Sequence, residues 1–138
     1  MARMVEQNLI DREECALVKT SDIARCLESD IMAIARKAEK SGRCHREQSF
    51  MMYKPASEVS DAFTSDDKVL VQGVIDLFIN DEQKIIVDFK NSLLKDEESI
   101  KKYKKQLYLY KSAVESVIGA KIDRVVLYSF KTGRTIDL

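Results

Sequence analysis

Neither sign of charge is in excess here: 23 Lys and Arg residues balance 23 Asp and Glu, so no global field advertises a polyanionic partner. Any such argument has to rest on a local patch. Long hydrophobic runs are missing too. No stretch approaches the ~20 apolar residues of a membrane span, and the opening Met1-Ala2-Arg3-Met4-Val5-Glu6 has no apolar signal-peptide core. The expectation is a cytoplasmic protein. Cysteine is scarce. Cys15, Cys26 and Cys44 are odd in number, widely spaced and form no C-x-x-C pair, which argues against a zinc knuckle or a disulfide framework and for reduced thiols. Proline occurs once, as Pro55, and histidine once, as His45. There is no G-x-x-x-x-G-K-[ST] loop, so these residues hold no nucleotide-driven motor. There are no internal repeats and no low-complexity segment.

What is present fits one soluble domain: 138 residues, 45% hydrophobic and 33% charged. Residues 8–18 read as a short helix with Asp11 as its cap. Ser21 or Asp22 caps a stronger one over 22–41, with Ile23, Cys26, Leu27, Ile31, Ile34, Ala35 and Ala38 on one face and Gly42 as its stop. Residues 46–52 read as a strand, 54–67 as a polar connection, and 68–79 as a long strand. Residues 80–83 form a turn, and 84–90 the returning strand. A helix over 96–118 follows, then strands over 124–130 and 135–137.

Two acids stand where acids are least welcome. Asp76 lies inside Val74-Ile75-Asp76-Leu77-Phe78-Ile79 and Asp88 inside Ile85-Ile86-Val87-Asp88-Phe89-Lys90. A buried carboxylate without a partner costs several kcal/mol, on the order of 3–5 when a pair is broken, so something positive must meet them. Lys90 leaves the same strand face as Asp88. A hairpin of these two strands can bring the acids near one another, either close to its open end or across a twist. Carboxylate oxygens with a backbone carbonyl suit a hard cation, Mg²⁺ or alternatively Mn²⁺. Such a cation acidifies water and offsets charge developing on phosphorus, and Lys90 can orient the water or stabilise the transition state. Glu47 is a candidate third acid. On the following helix Gln106 and Tyr110 share one face, preceded by the basic strip Lys101-Lys102-Tyr103-Lys104-Lys105. Lysines with interleaved aromatics suit a nucleic-acid strand.

The segments Gly73-Val74-Ile75-Asp76-Leu77-Phe78, Val87-Asp88-Phe89-Lys90 and Gln106-x-x-x-Tyr110 resemble the PD-(D/E)XK nucleases. Within them they resemble the RecB-type domains of bacterial helicase–nuclease complexes, and there the C-terminal nuclease domain of the AddA-type component. Arg46-Glu47-Gln48-Ser49-Phe50 is similar to that component's R-E-x-P-F strand, with Ser49 in place of proline. The resemblance implies an α/β fold with a restriction-endonuclease-like core, a mixed, mainly antiparallel central sheet flanked by helices. It implies metal ligation by Asp76, Asp88 and the Phe89 carbonyl, catalysis by Lys90, and an accessory acid in Glu47. It implies DNA positioning by Gln106 and Tyr110, beside the basic strip Lys101, Lys102, Lys104 and Lys105. The implied activity is metal-dependent, exonuclease-type hydrolysis of DNA that leaves a 5′ phosphate. The implied partners are single-stranded DNA and a helicase segment or partner subunit. RecB-type domains also carry a metal-ligating histidine on an upstream helix, and His45 is not in that position. The expectation is therefore one nuclease domain over 1–138, truncated at its N-terminus. Two other readings stand beside this one. The first is a catalytically silent nuclease-fold remnant that binds DNA or another subunit. The second is a small phosphatase or RNase with the same carboxylate chemistry.

Overall fold

The computed structural model describes residues 19–60, 62–94 and 97–138; the helix expected over 8–18, Cys15 and Asp96 lie outside them. The described elements are α1 (Thr20–Leu27), α2 (Asp30–Lys40), β1 (Cys44–Pro55), α3 (Ala56–Val59), β2 (Lys68–Asn80), β3 (Lys84–Lys90), α4 (Glu97–Ile118), β4 (Arg124–Ser129) and β5 (Arg134–Asp137). The strands form one five-stranded sheet in the order β1-β2-β3-β4-β5. Only β3 and β4 are parallel; the other neighbours are antiparallel. The parallel pair needs a crossover, and α4 supplies it.

The strand sequences explain this order. β3 and β4 carry apolar residues without alternation, as suits strands covered on both faces. Ile85, Ile86, Val87, Val126, Leu127 and Tyr128 are all fully buried. On one face, Cys26 of α1 and Ile31, Ala35 and Ala38 of α2 pack against Leu77, Ile79, Val87 and Tyr128. On the other, Leu107 and Val114 of α4 pack against Ile75, Phe78, Ile86 and Leu127. The result is a three-layer sandwich of helix, sheet and helix.

The helix expected over 22–41 is two helices. Ser29 is extended (φ −68°, ψ 154°) and breaks the run. Its hydroxyl donates to the Cys26 carbonyl at 2.6 Å, the kind of local bond by which serine competes with a helical backbone. The break tilts two expected core residues outward: Ile23 and Leu27 are exposed, while Cys26 stays buried. The strand expected over 46–52 is longer at both ends, because it pairs with β2 from Cys44↔Ile79 to Pro55↔Lys68. The connection expected over 54–67 therefore contains the end of β1 and the single turn α3. The strand expected over 124–130 ends at Ser129, and the Phe130 amide donates to the Lys90 carbonyl. No described helix is long and apolar enough to cross a membrane. Cys26 and Cys44 are free thiols, the first buried and the second half-buried.

Candidate functional site

The β2–β3 ladder runs only from Asn80↔Lys84 to Leu77↔Val87. Asp76 and Asp88 are the next residue on each strand, at the open end of the hairpin. There a side chain replaces the ladder: the Phe89 amide donates to Asp76 Oδ2 at 2.8 Å. On β1 the pairing runs through Arg46↔Leu77 and Gln48↔Ile75 and leaves Glu47, opposite Asp76, unbridged. Glu47 has φ 49°, in the left-handed region, which costs a non-glycine residue about 1–2 kcal/mol.

Both strands change facing at this point. Residues two apart on a regular strand share a face, yet Leu77 lies in the core under α1 and α2 while Ile75 lies in the core under α4. On β1, Arg46 pairs with Glu39 of α2, whereas Phe50, four residues on, packs edge-on against Tyr110 of α4 at 4.8 Å between ring centroids. The Glu47–Asp76 level is thus an irregular step across two strands, and it sits beside the open end of β3. Strain of this kind collects at functional sites.

Asp88 is buried, 7% exposed. Lys90 Nζ lies 2.7 Å from its Oδ2. The contact is a buried ion pair at hydrogen-bonding distance. Burial pushes the Asp88 carboxyl above its ordinary pKa. The Lys90 ammonium pulls it back only in part, and the negative charge of Asp76 pushes it further up. Lys90 Nζ also lies over the Tyr103 ring, 4.8 Å from its centroid.

The other expected residues are placed as follows. Gln106 Nε2 donates to the Tyr110 hydroxyl at 2.7 Å, so this pair from α4 is preorganised. Tyr110 also packs over Gly73. A Cβ there would meet the Phe50 ring at 2.8 Å and Tyr110 at 3.1 Å, which is why β2 carries glycine at this point. The basic strip divides. Lys101, Lys102 and Lys105 line an open hollow of about 720 Å³ with Glu98, Ser99 and Gln106. Lys104 turns away to Tyr108, 5.5 Å from its ring centroid. Glu47 is exposed and is not gathered with the two aspartates. Among the described residues no cluster of three His, Cys, Asp or Glu side chains is poised around one metal position. His45 stacks on Phe78 at 6.0 Å.

Two residues near the site have surroundings that the sequence does not announce. Tyr103 reads there as the aromatic interleaved in the lysine strip, and Lys54 as an ordinary polar residue. Lys54 shares a second hollow with Lys105 and Gln106. Nothing in the spacing announces either role, since both arise from packing α4 against β1 and β3.

No family model matches the chain. Over 98% of its length it is 32% identical to the A-subunit of an ATP-dependent helicase/nuclease from Clostridium acetobutylicum. It is 33% identical, over 98%, to the protein of that name from Alkaliphilus oremlandii, and 31% identical, over 99%, to the one from Syntrophomonas wolfei. The chain spans 11–12% of the length of these relatives. It is related, from end to end, to one region of that helicase/nuclease polypeptide.

Proposed function

We propose that this chain is the nuclease region of a helicase–nuclease and hydrolyses phosphodiester bonds of single-stranded DNA with a divalent cation, Mg²⁺ or Mn²⁺. The observation that carries this is the buried Asp88, paired with Lys90 beside Asp76 at the open end of a hairpin. The donor set suits the cation. Asp88 Oδ2 is buried against the Lys90 ammonium at 2.7 Å, and each ionised carboxylate has about four lone-pair sites, more than that contact uses. Mg²⁺ is commonly held by one or two carboxylates, with water and phosphate oxygens completing its shell. Asp76 and Asp88 would hold it, with the Phe89 carbonyl as the third ligand. When bound, it supplies positive charge against the transition state and acidifies water.

The chain's own groups do the rest. Lys90 directs an N–H donor at the attacking water or at a phosphate oxygen. Gln106, with Tyr110 bracing its amide, positions the strand, and Lys101, Lys102 and Lys105 neutralise its backbone. The P–O bond to the 3′ oxygen breaks as the bond from water to phosphorus forms. Water's proton passes to solvent, the 3′ oxygen is protonated, and a 5′ phosphate remains.

Cleavage of a fluorescent single-stranded DNA with Mg²⁺ and then Mn²⁺, by wild type and Asp88→Ala side by side, tests this. The expected result is metal-dependent cutting that falls at least about 100-fold in the variant, the scale of losing one charge-stabilising group, while circular dichroism shows both folded. Cutting unchanged in Asp88→Ala overturns the role of Asp88. A folded wild type that binds the strand and never cuts it supports the second reading, a silent binding module. That reading is favoured by the two-carboxylate site, to which Glu47 is not gathered.

A further inference from the structure

We propose that Tyr103 is the positioning residue for Lys90, holding its ammonium by the face of the phenol ring; this rests on the nuclease reading only for its effect on rate. Among the described residues, Lys90 Nζ meets two groups on different elements. Asp88 Oδ2, at 2.7 Å, comes from its own strand. The Tyr103 ring, with its centroid at 4.8 Å, comes from α4. A lysine on a flexible stem is not oriented by one ion pair alone, since its three donors rotate about the last bond. A ring face attracts the cation without accepting a directed hydrogen bond. Donors not engaged by Asp88 therefore remain available to a third group. Lys90 is about a quarter exposed, so that third group can come from solvent or substrate.

Tyr103 itself is half-buried in the core under α4, together with Ile100 and Leu107. The helix thus fixes the ring before the lysine arrives. This arrangement also separates the two duties of Asp88. When its charge is drawn toward a cation, the hold on Lys90 weakens from that side, and the ring remains. The assignment is of Tyr103 to Lys90 alone; Gln106 and Tyr110 lie one and two turns further along α4, hydrogen-bonded to each other.

The test uses the metal-free chain first. Lysines are reductively dimethylated with ¹³C, which keeps their charge, and the Lys90 methyl resonance is assigned from its loss in Lys90→Arg. A ring over the ammonium shifts that resonance upfield. The shift is expected to persist in Tyr103→Phe and to vanish in Tyr103→Leu. Cleavage assays then read the consequence: kcat falls about 3- to 30-fold in Tyr103→Leu, the range a cation–π contact spans, with KM little changed, and Tyr103→Phe restores it. A perfluorinated phenylalanine at 103 keeps the volume and inverts the ring's quadrupole, so it should behave like leucine even if leucine disturbs the core. The proposal is overturned if the Lys90 shift is the same in Tyr103→Leu, or if Tyr103→Phe is as impaired as Tyr103→Leu. If the wild type never cuts, the shift alone decides the placement of Lys90, and it is the nuclease reading that has failed.

Discussion

Asp88 is kept in surroundings that oppose its own charge, and that tension is the most informative property of any single residue here. Its carboxyl pKa is raised, chiefly by burial and further by Asp76, with Lys90 offsetting part. A raised carboxyl binds its proton more tightly folded than unfolded, so its contribution to stability falls as pH rises from the ordinary carboxylate range through the raised value. In metal-free protein Asp88→Asn is therefore expected to melt higher than wild type at neutral pH. The gap should close as the pH drops below the ordinary carboxylate range; thermal melts across that window check it. An Asn variant that melts lower at neutral pH would mean the Lys90 pair outweighs burial. The residues of this site are legible in the sequence because charge inside a β-branched run is anomalous whatever the fold. The ring above Lys90 is not, because Tyr103 also satisfies the apolar stripe of α4.

At the level of elements, the succession of strands and the long α4 follow from patterning, while breaks and reversals do not. Ser29 ends α1 through a bond to a carbonyl three residues back, a choice the intact apolar periodicity of 22–41 conceals. The change of facing at Glu47 and Asp76 is likewise hidden, since alternation on either side looks regular by itself. At Gly73 the rings of Phe50 and Tyr110 lie close against the backbone of β2. Gly73→Ala would place a Cβ 2.8 Å from Phe50 and 3.1 Å from Tyr110, and overpacking of that kind costs about 1–3 kcal/mol. Denaturant unfolding should show that loss, and Phe50→Leu in the same chain should recover part of it by coupling. No recovery would place the strain elsewhere.

Across the whole molecule, stability is concentrated in the middle of the sheet. Residues 85–87 of β3 and 126–129 of β4 are paired on both sides and fully buried, whereas the outer half of β1 is an edge strand with Met51 and Tyr53 65% and 68% exposed. Hydrogen exchange is expected to be slowest in the amides of β3 and β4 and at least about 100-fold faster over residues 51–55, in keeping with local opening energies that run from near zero to the global value. Equal protection in both would show the β1–β2 extension to be part of the central cooperative unit. The site sits where these regimes meet, with Asp88 and Lys90 on the rigid strand and Glu47 on the edge strand.

The family resemblance implied the layered α/β architecture and the mixed sheet, while periodicity and misplaced charge were enough to mark the succession of elements and the two carboxylates with their lysine. Both are properties of short segments, and short segments carry them before folding. Packing was needed to decide that Asp76 takes the Phe89 amide, that Glu47 stays exposed and apart, that the lysine strip divides, and that Tyr103 stands over Lys90. Those outcomes depend on how α4 and β1 are laid against β2 and β3, and contacts between distant segments leave no periodic trace in either one.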